Sequence, residues 1–300
     1  MKKQLIKFGK PRLLVVGCGD VGMRLLPLFS AHFRMFALTS QASRCAELRA
    51  AGAIPVVADL DNPSSLKRLA GLATWVLHLA PPRAEGECDI RTKNLLAILP
   101  DKSRLVYVST TGVYGDCGGV YFDETRPVAP HNARAQRRVA AEQTLRAWAG
   151  RTGSCLSILR VPGIYASNRL PLERLQKGTP ALNEDDDVYT NHIHADDLAQ
   201  LIRLALFRAR PSRVYHAVDD SQLKMGAYFD LVADAFQVLR PPRLPRAELA
   251  RQVSPALLSF MSESRRMANR RIKSELGIRL TYPTVADGVT AALLTTGKIR

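Results

Sequence analysis

Short apolar runs alternate with helix-periodic stretches through the first two thirds of the chain. Leu13 to Val16, Arg34 to Leu38, Ile54 to Val57, Thr74 to Leu79 and Leu105 to Val108 read as strands, and Cys155 to Leu159 and Val214 to Val218 continue the series. Near-continuous apolar runs of this length suit strands covered on both faces. Helical patterns lie between them. Val21, Leu25, Leu28 and Phe29 recur at helical spacing, and Asp61, Asn62 and Pro63 offer caps and a first-turn proline ahead of Ser64 to Leu69. Ala133 to Ala149 carries few helix breakers, and Leu198 to Phe207 predicts a further helix. This alternation predicts an α/β protein built on a Rossmann-type, doubly wound parallel sheet. Segments 163–190 and 219–300 are richer in proline and charge and lose the rhythm, which predicts a smaller second region. The 300 residues exceed what one core usually needs, and they contain no internal repeat.

The first strand runs straight into Gly17, Cys18, Gly19, Asp20, Val21 and Gly22, a GxGxxG turn that opens a helix. In such a turn the first glycine permits a tight bend, the second lets the backbone approach a pyrophosphate, and the third lets the helix pack on the strand. Free amides at the helix N-terminus then face the anion. The placement between an apolar strand and an apolar-periodic helix predicts a dinucleotide site, with Gly17, Gly19, Asp20, Val21 and Gly22 as its loop. An NAD site usually carries an acid about 20 residues farther on, which accepts from the ribose 2′-hydroxyl. Here the second strand ends Ala37, Leu38, Thr39, Ser40, and no acid stands between Asp20 and Glu47. Ser40 and Arg44 occupy the place of a 2′-phosphate, which an arginine grips through charge-assisted hydrogen bonds. The pattern favours NADP(H) over NAD(H); the plain alternative is that Arg44 is a solvated residue at the start of a helix. Asp59, followed by Leu60 after the third strand, suits an adenine amino group and a turn role equally.

Composition adds charge. Lys and Arg number 43 against 27 Asp and Glu, a formal net charge of +16. The cations are spread along the chain, with modest clusters at 134–138 and 265–273 and no interleaved aromatic residues, which argues against nucleic acid as the main partner. A phosphorylated cofactor and an anionic substrate account for part of the excess. Cys18, Cys45, Cys88, Cys117 and Cys155 are odd in number, without CxxC or clustered histidines, and read as reduced thiols with no metal site. No apolar run reaches membrane-spanning length. The basic opening Met1, Lys2, Lys3 leads quickly to the glycine turn and not into a signal sequence. A cytoplasmic protein without a membrane partner is expected.

Val106 to Gly115 reads VYVSTTGVYG. HLAPP at 78–82, LRVPGIY at 159–165, NHIHADDLA at 191–199, VYHAVDD at 214–220 and NRRIKSELGI at 269–278 follow in order. In these motifs, over nearly its whole length, the chain resembles the extended branch of the short-chain dehydrogenase/reductase superfamily, the NAD-dependent epimerase/dehydratase group. The resemblance implies an NAD(P)-binding Rossmann domain of residues 1–162 and 191–218, with a substrate-side region of 163–190 and 219–300. It adds Ala80 to the cofactor set. It also implies hydride transfer to or from a small, anionic or nucleotide-linked substrate. Homodimers are common in the resembled family; the residues themselves fix no oligomeric state.

In that family a Ser or Thr four residues before the Tyr of VYG hydrogen-bonds the reacting oxygen, a place taken here by Thr110. A YxxxK motif supplies the proton and holds the nicotinamide ribose. Counting back from the family's helical Glu, matched by Glu142, the Tyr place falls on Arg134 and the Lys place on Arg138. A guanidinium does not release a proton near neutral pH, so Arg134 is no substitute acid. Arg138 can still bond a ribose, and the two arginines, at i and i+4, put positive charge on one helix face, unless that face is simply solvated. The chain thus resembles the atypical form that keeps the glycine loop and lacks the usual active-site residues. Tyr114, His131, Tyr165, Tyr189, His192 and His194 remain as proton carriers, and histidine matches neutral pH best. Two main readings follow, beside a nucleic-acid or scaffolding role that only the net charge motivates. One is an NADP-dependent oxidoreductase or epimerase/dehydratase-like enzyme centred on Thr110, Arg134 and Arg138; the other is a non-catalytic NADP(H)-binding sensor or regulatory protein.

Overall fold

The computed structural model describes residues 9–86 and 88–295; Met1, Lys2 and Lys3 lie outside them. Seven strands form the main sheet: β1 (Arg12–Val16), β2 (Arg34–Thr39), β3 (Ile54–Val57), β4 (Trp75–His78), β5 (Arg104–Thr110), β6 (Cys155–Val161) and β7 (Arg213–His216). Their order is β7-β6-β5-β4-β1-β2-β3, and the sheet is parallel. Leu13, Leu14, Val15 and Val16 are fully buried, as a central strand covered by helices on both faces requires. The strand order reverses between β1 and β4, the place where open α/β sheets leave a crevice beyond their strand ends. Register builds that crevice, because Val16 pairs with both Leu38 and His78, and Leu38 pairs with Val56. The segments that follow β1, β2, β3 and β4 are thereby brought to one edge.

Helices α1 (Asp20–Phe29), α2 (Cys45–Ala50), α3 (Ile90–Leu96), α4 (Ala133–Thr152) and α5 (Ala195–Arg208) accompany the sheet. Asn132 starts α4 by accepting from the Ala135 amide at 2.9 Å. Two expected helices differ from their sequence reading. Residues Pro63–Leu69 form a 3-10 helix and not an α-helix. Asn62 caps it as expected, but the Ser65 hydroxyl binds the Asn62 carbonyl at 2.7 Å and competes with regular backbone pairing. Helix α5 begins at Ala195, earlier than its apolar periodicity shows, with Asp196 and Asp197 in its first turn, where acids suit the positive end of the helix.

The chain divides into two compact units, 1–108 with 140–158 and 205–213, and 109–139 with 159–204 and 214–300. The second contains a core in which the helices Met225–Phe236 and Val285–Thr295 bury Tyr228, Phe229, Val232, Phe236, Val289 and Leu293. A short parallel pair, Gly163–Tyr165 with His192–His194, lies in the same unit. The strand-helix rhythm fades here because helices pack on helices. All five cysteines are free. Among the described residues no group of His, Cys, Asp or Glu is arranged to hold a metal, and no helix is long and apolar enough to cross a membrane.

Candidate dinucleotide site and substrate pocket

In the first unit a cavity of about 390 Å³ opens at the C-terminal edge of the sheet. Gly17, Gly19, Ser40, Arg44, Asp59, Leu60 and Ala80 line it, together with Thr39, Gln41 and Arg91. The three glycines of the turn are glycines for different reasons. Gly17 has φ +88°, and a Cβ there would sit 2.5 Å from the Ala80 amide nitrogen. At Gly22 a Cβ would stand 3.1 Å from Cys18 Sγ, so this position serves helix-to-strand packing. Gly19 has an ordinary φ of −80°, and a Cβ there would meet nothing within 4 Å. No protein atom explains the glycine at 19, and the space beside it is open. Asp20, Val21 and Gly22 stand in the first turn of α1 and do not line the cavity. No side chain caps that turn, which leaves it suited to an anion.

Arg44 lies across the same site. Its Nη1 donates to the Cys18 carbonyl at 2.6 Å, and its Nε and Nη2 grip the Glu47 carboxylate at 3.0 and 3.1 Å. Burial pushes the Cys18 thiol up to about 11, against the pull of Arg44, so it stays protonated at neutral pH. Asp59 performs the turn role, accepting from the Asp61 amide at 2.9 Å while lining the cavity. Arg91, which sequence reasoning missed, is held at the rim by a bidentate pair with Asp61 at 2.7 and 3.0 Å. That pair lowers the Asp61 pKa and raises that of Arg91. The partners are 30 residues apart, and no local pattern announces them. Nearby, His78 Nε2 donates to Thr92 Oγ1 at 2.9 Å, and Thr92 donates to Asp89 Oδ2 at 2.5 Å, which fixes the tautomer and anchors the start of α3.

The second unit holds its own pocket, of about 240 Å³. Thr110, the last residue of β5, lines it with Arg134, Tyr189, Asn191, Glu263 and Arg265. Thr110 Oγ1 accepts from the Gly112 amide at 3.3 Å. The Arg134 guanidinium lies 4.1 Å from the centroid of the Phe260 ring. Desolvation lowers its pKa, Glu263 opposes that, and Arg138, Arg265 and Arg137 add to the lowering; the group remains charged. Glu263 accepts from Arg265 at 2.5 Å and from Asn132 at 3.3 Å, so the pocket presents mixed charge with a positive excess. Arg138 is half-buried and is not one of the lining residues.

The remaining proton carriers separate clearly. Tyr114 is buried; it donates to His216 Nε2 at 2.6 Å and accepts from Arg160 Nη1 at 2.6 Å, while His216 Nδ1 donates to the Ala268 carbonyl at 3.0 Å. This chain of bonds is fully committed. Burial holds His216 near 3 and His192 near 4, so both are neutral at pH 7. Tyr165 is buried, donates to the Thr284 carbonyl at 3.1 Å and has its pKa raised by burial. His194 accepts from the Asp196 amide at Nδ1 and stacks 3.9 Å from Tyr282. His131 is exposed and lies outside the pocket. Tyr189 alone of the six lines it, half-buried, with the Arg266 guanidinium 4.8 Å from its ring centroid.

The sequence model of the NAD dependent epimerase/dehydratase family matches residues 13–218. The chain belongs to the NAD-dependent epimerase/dehydratase family. A conserved protein of unknown function from Silicibacter pomeroyi superposes with a TM-score of 0.78 at 28% identity, covering 95% of this chain and 99% of that one. UDP-glucose 4-epimerase from Thermotoga maritima, solved with UDP-glucose, gives 0.77 at 16% identity, covering 96% and 99%. dTDP-glucose 4,6-dehydratase from Bacillus anthracis, solved with NAD, gives 0.75 at 14%, covering 96% and 97%. No curated protein matches the sequence. Membership of the epimerase/dehydratase family makes NAD(P) the expected dinucleotide, and the open Cβ position at Gly19, the uncapped first turn of α1 and the cavity before them fit it.

Proposed function

We propose that this member of the epimerase/dehydratase family is an NAD(P)-dependent enzyme acting on a small anionic or nucleotide-linked substrate, with NADP(H) preferred over NAD(H). The open space at Gly19 carries the dinucleotide assignment. Ser40 and Arg44 beside it support a 2′-phosphate, since Glu47, the first acid after β2, already pairs with Arg44. Reversible hydride transfer is the chemistry that the bound nicotinamide supplies. Gly17, Gly19 and the first turn of α1 hold the pyrophosphate, while Asp59, Leu60 and Ala80 border the cavity. Thr110 orients the substrate oxygen, and Arg134 stabilises negative charge on the substrate, with Arg138 adding to the positive face of α4. Tyr189 takes the proton role that the missing YxxxK leaves open.

Fluorescence titration with NADPH and NADH tests the cofactor. Arg44→Ala is expected to remove the preference for NADPH; tighter NADH binding unaffected by that change overturns the NADP assignment. A panel of UDP- and dTDP-sugars, followed at the reduced-nicotinamide absorbance, tests the reaction, and Tyr189→Phe should lower kcat on any active substrate by about 10²-fold or more. The committed bonds of Tyr114 favour the second reading, a cofactor-binding sensor. Tight dinucleotide binding with no turnover across the panel decides for it.

A further inference from the structure

Most of the positive charge of this protein lies outside its two pockets, which are lined by Arg44, Arg91, Arg134 and Arg265. The first unit carries 21 Lys and Arg against 9 Asp and Glu, a net +12, and the second 22 against 18, a net +4, which together give the +16 of the chain. Within the first unit most of the acids gather at one end of the strands, where Arg44, Arg83 and Arg91 pair with them. Asp20, Asp59, Asp61, Glu85 and Asp89 follow the C-terminal ends of β1, β3 and β4, on the dinucleotide side. At the opposite edge four of the seven strands open on arginine: Arg12 of β1, Arg34 of β2, Arg104 of β5 and Arg213 of β7. The turns entering these strands add Lys10, Lys102 and Arg210; Asp101 is the one acid among the described residues of the turns on this edge.

The row has a definite geometry. Parallel strands about 4.8 Å apart place the outermost of these arginines, on β7 and β2, about 24 Å from each other. Arg12 and Arg34 are register partners on neighbouring strands, and both are exposed. Two guanidinium groups side by side repel, and an anion laid across both removes that cost. Lys10 donates to the Ser30 carbonyl at 2.9 Å, and Arg104 to the carbonyls of Leu206 and Phe207 at 3.0 and 3.1 Å, neutral partners that leave the charge uncompensated. Two clefts of about 390 and 580 Å³ open on this edge, and Lys10 borders both, facing Arg34 in one and Arg12 in the other.

We propose that this edge binds the phosphate backbone of a nucleic-acid duplex without reading its bases. A row of about 24 Å spans about seven base-pair steps at 3.4 Å each. Backbone binding needs little beyond placed cations. Trp75, at the start of β4, is covered by the Arg104 guanidinium at 5.2 Å and by the ring of Phe207 at 5.7 Å. An anionic membrane would call for apolar side chains to insert beside the charge, and the exposed large ones among the described residues of this edge are Ile54 and Phe207 alone.

Fluorescence anisotropy of the full chain with labelled 20-base-pair DNA and RNA duplexes, from 50 to 200 mM NaCl, tests the inference. Binding is expected to weaken steeply with salt, and the slope of log K against log salt should fall by about 2 in Arg12→Ala/Arg34→Ala, close to 0.9 for each phosphate that is no longer neutralised. Lys10→Ala/Lys102→Ala serves as a second pair, with circular dichroism melting to confirm that each variant folds. Arg240→Ala, in the other unit, should leave the slope unchanged. Absence of binding at 50 mM NaCl overturns the proposal. So does a slope indifferent to both pairs, or tighter binding to phosphatidylserine vesicles than to either duplex.

Discussion

At the scale of single residues, Gly17 and Gly19 separate what the fold demands from what a ligand demands. A Cβ at Gly17 would fall 2.5 Å from the Ala80 backbone at a positive φ, whereas at Gly19 it would enter open space. Gly17→Ala should therefore destabilise the protein by about 1–3 kcal/mol, read by urea denaturation. Gly19→Val should leave the melting temperature nearly unchanged and abolish dinucleotide binding in a fluorescence titration. The motif was legible as a motif, but its sequence could not tell these roles apart, because the difference lies in which atoms from β4 and its loop arrive nearby. Arg91 was illegible for the same reason: its fixed position depends on Asp61, thirty residues away.

At the scale of elements, the apolar runs gave strand positions to within a few residues, since a strand buried on both faces must be apolar along its length. Helix starts were harder where polar residues belong inside the element. Asp197, in the first turn of α5, accepts from the amides of Thr281 and Tyr282 at 2.8 and 2.9 Å and so joins that helix to a distant segment. The Tyr114 network does the same for the ends of β6 and β7. Arg160 and His216 both bond the Tyr114 hydroxyl at 2.6 Å. Removing it in Tyr114→Phe takes both bonds from buried polar partners and is expected to cost about 2–3 kcal/mol in chemical denaturation, with dinucleotide affinity retained. The VYG tyrosine is a structural member of this chain, a role that the motif's spelling does not display.

At the scale of the whole molecule, His192, His216 and Asp219 are among the buried groups that shape stability against pH. His192 and His216 are held near 4 and 3, below their unfolded value of about 6.5, so the stability they confer is complete above pH 6.5 and falls away as pH drops through 4 and 3. Asp219 is pushed up to about 7 by burial, so its contribution has the opposite sense: present below about 3.9 and lost as pH rises through 7. The two histidines outweigh Asp219 and Glu124, which burial also raises, and the melting temperature should rise from pH 4 to pH 6.5. Asp219→Asn removes one opposing contribution and should steepen that rise in calorimetry; an unchanged slope would contradict the assignment. The charge balance also belongs to this scale. Sequence by itself determined the α/β class, the strand and helix series, the glycine loop and the family, because all of these are written in local periodicity and short motifs. Only the tertiary structure decided that Tyr189 and not Tyr114 faces a pocket, that Gly19 is the glycine kept open, and that arginines scattered from residue 12 to residue 213 stand along one edge. Parallel strands return the chain to the same edge at every turn, so side chains far apart in sequence become neighbours there.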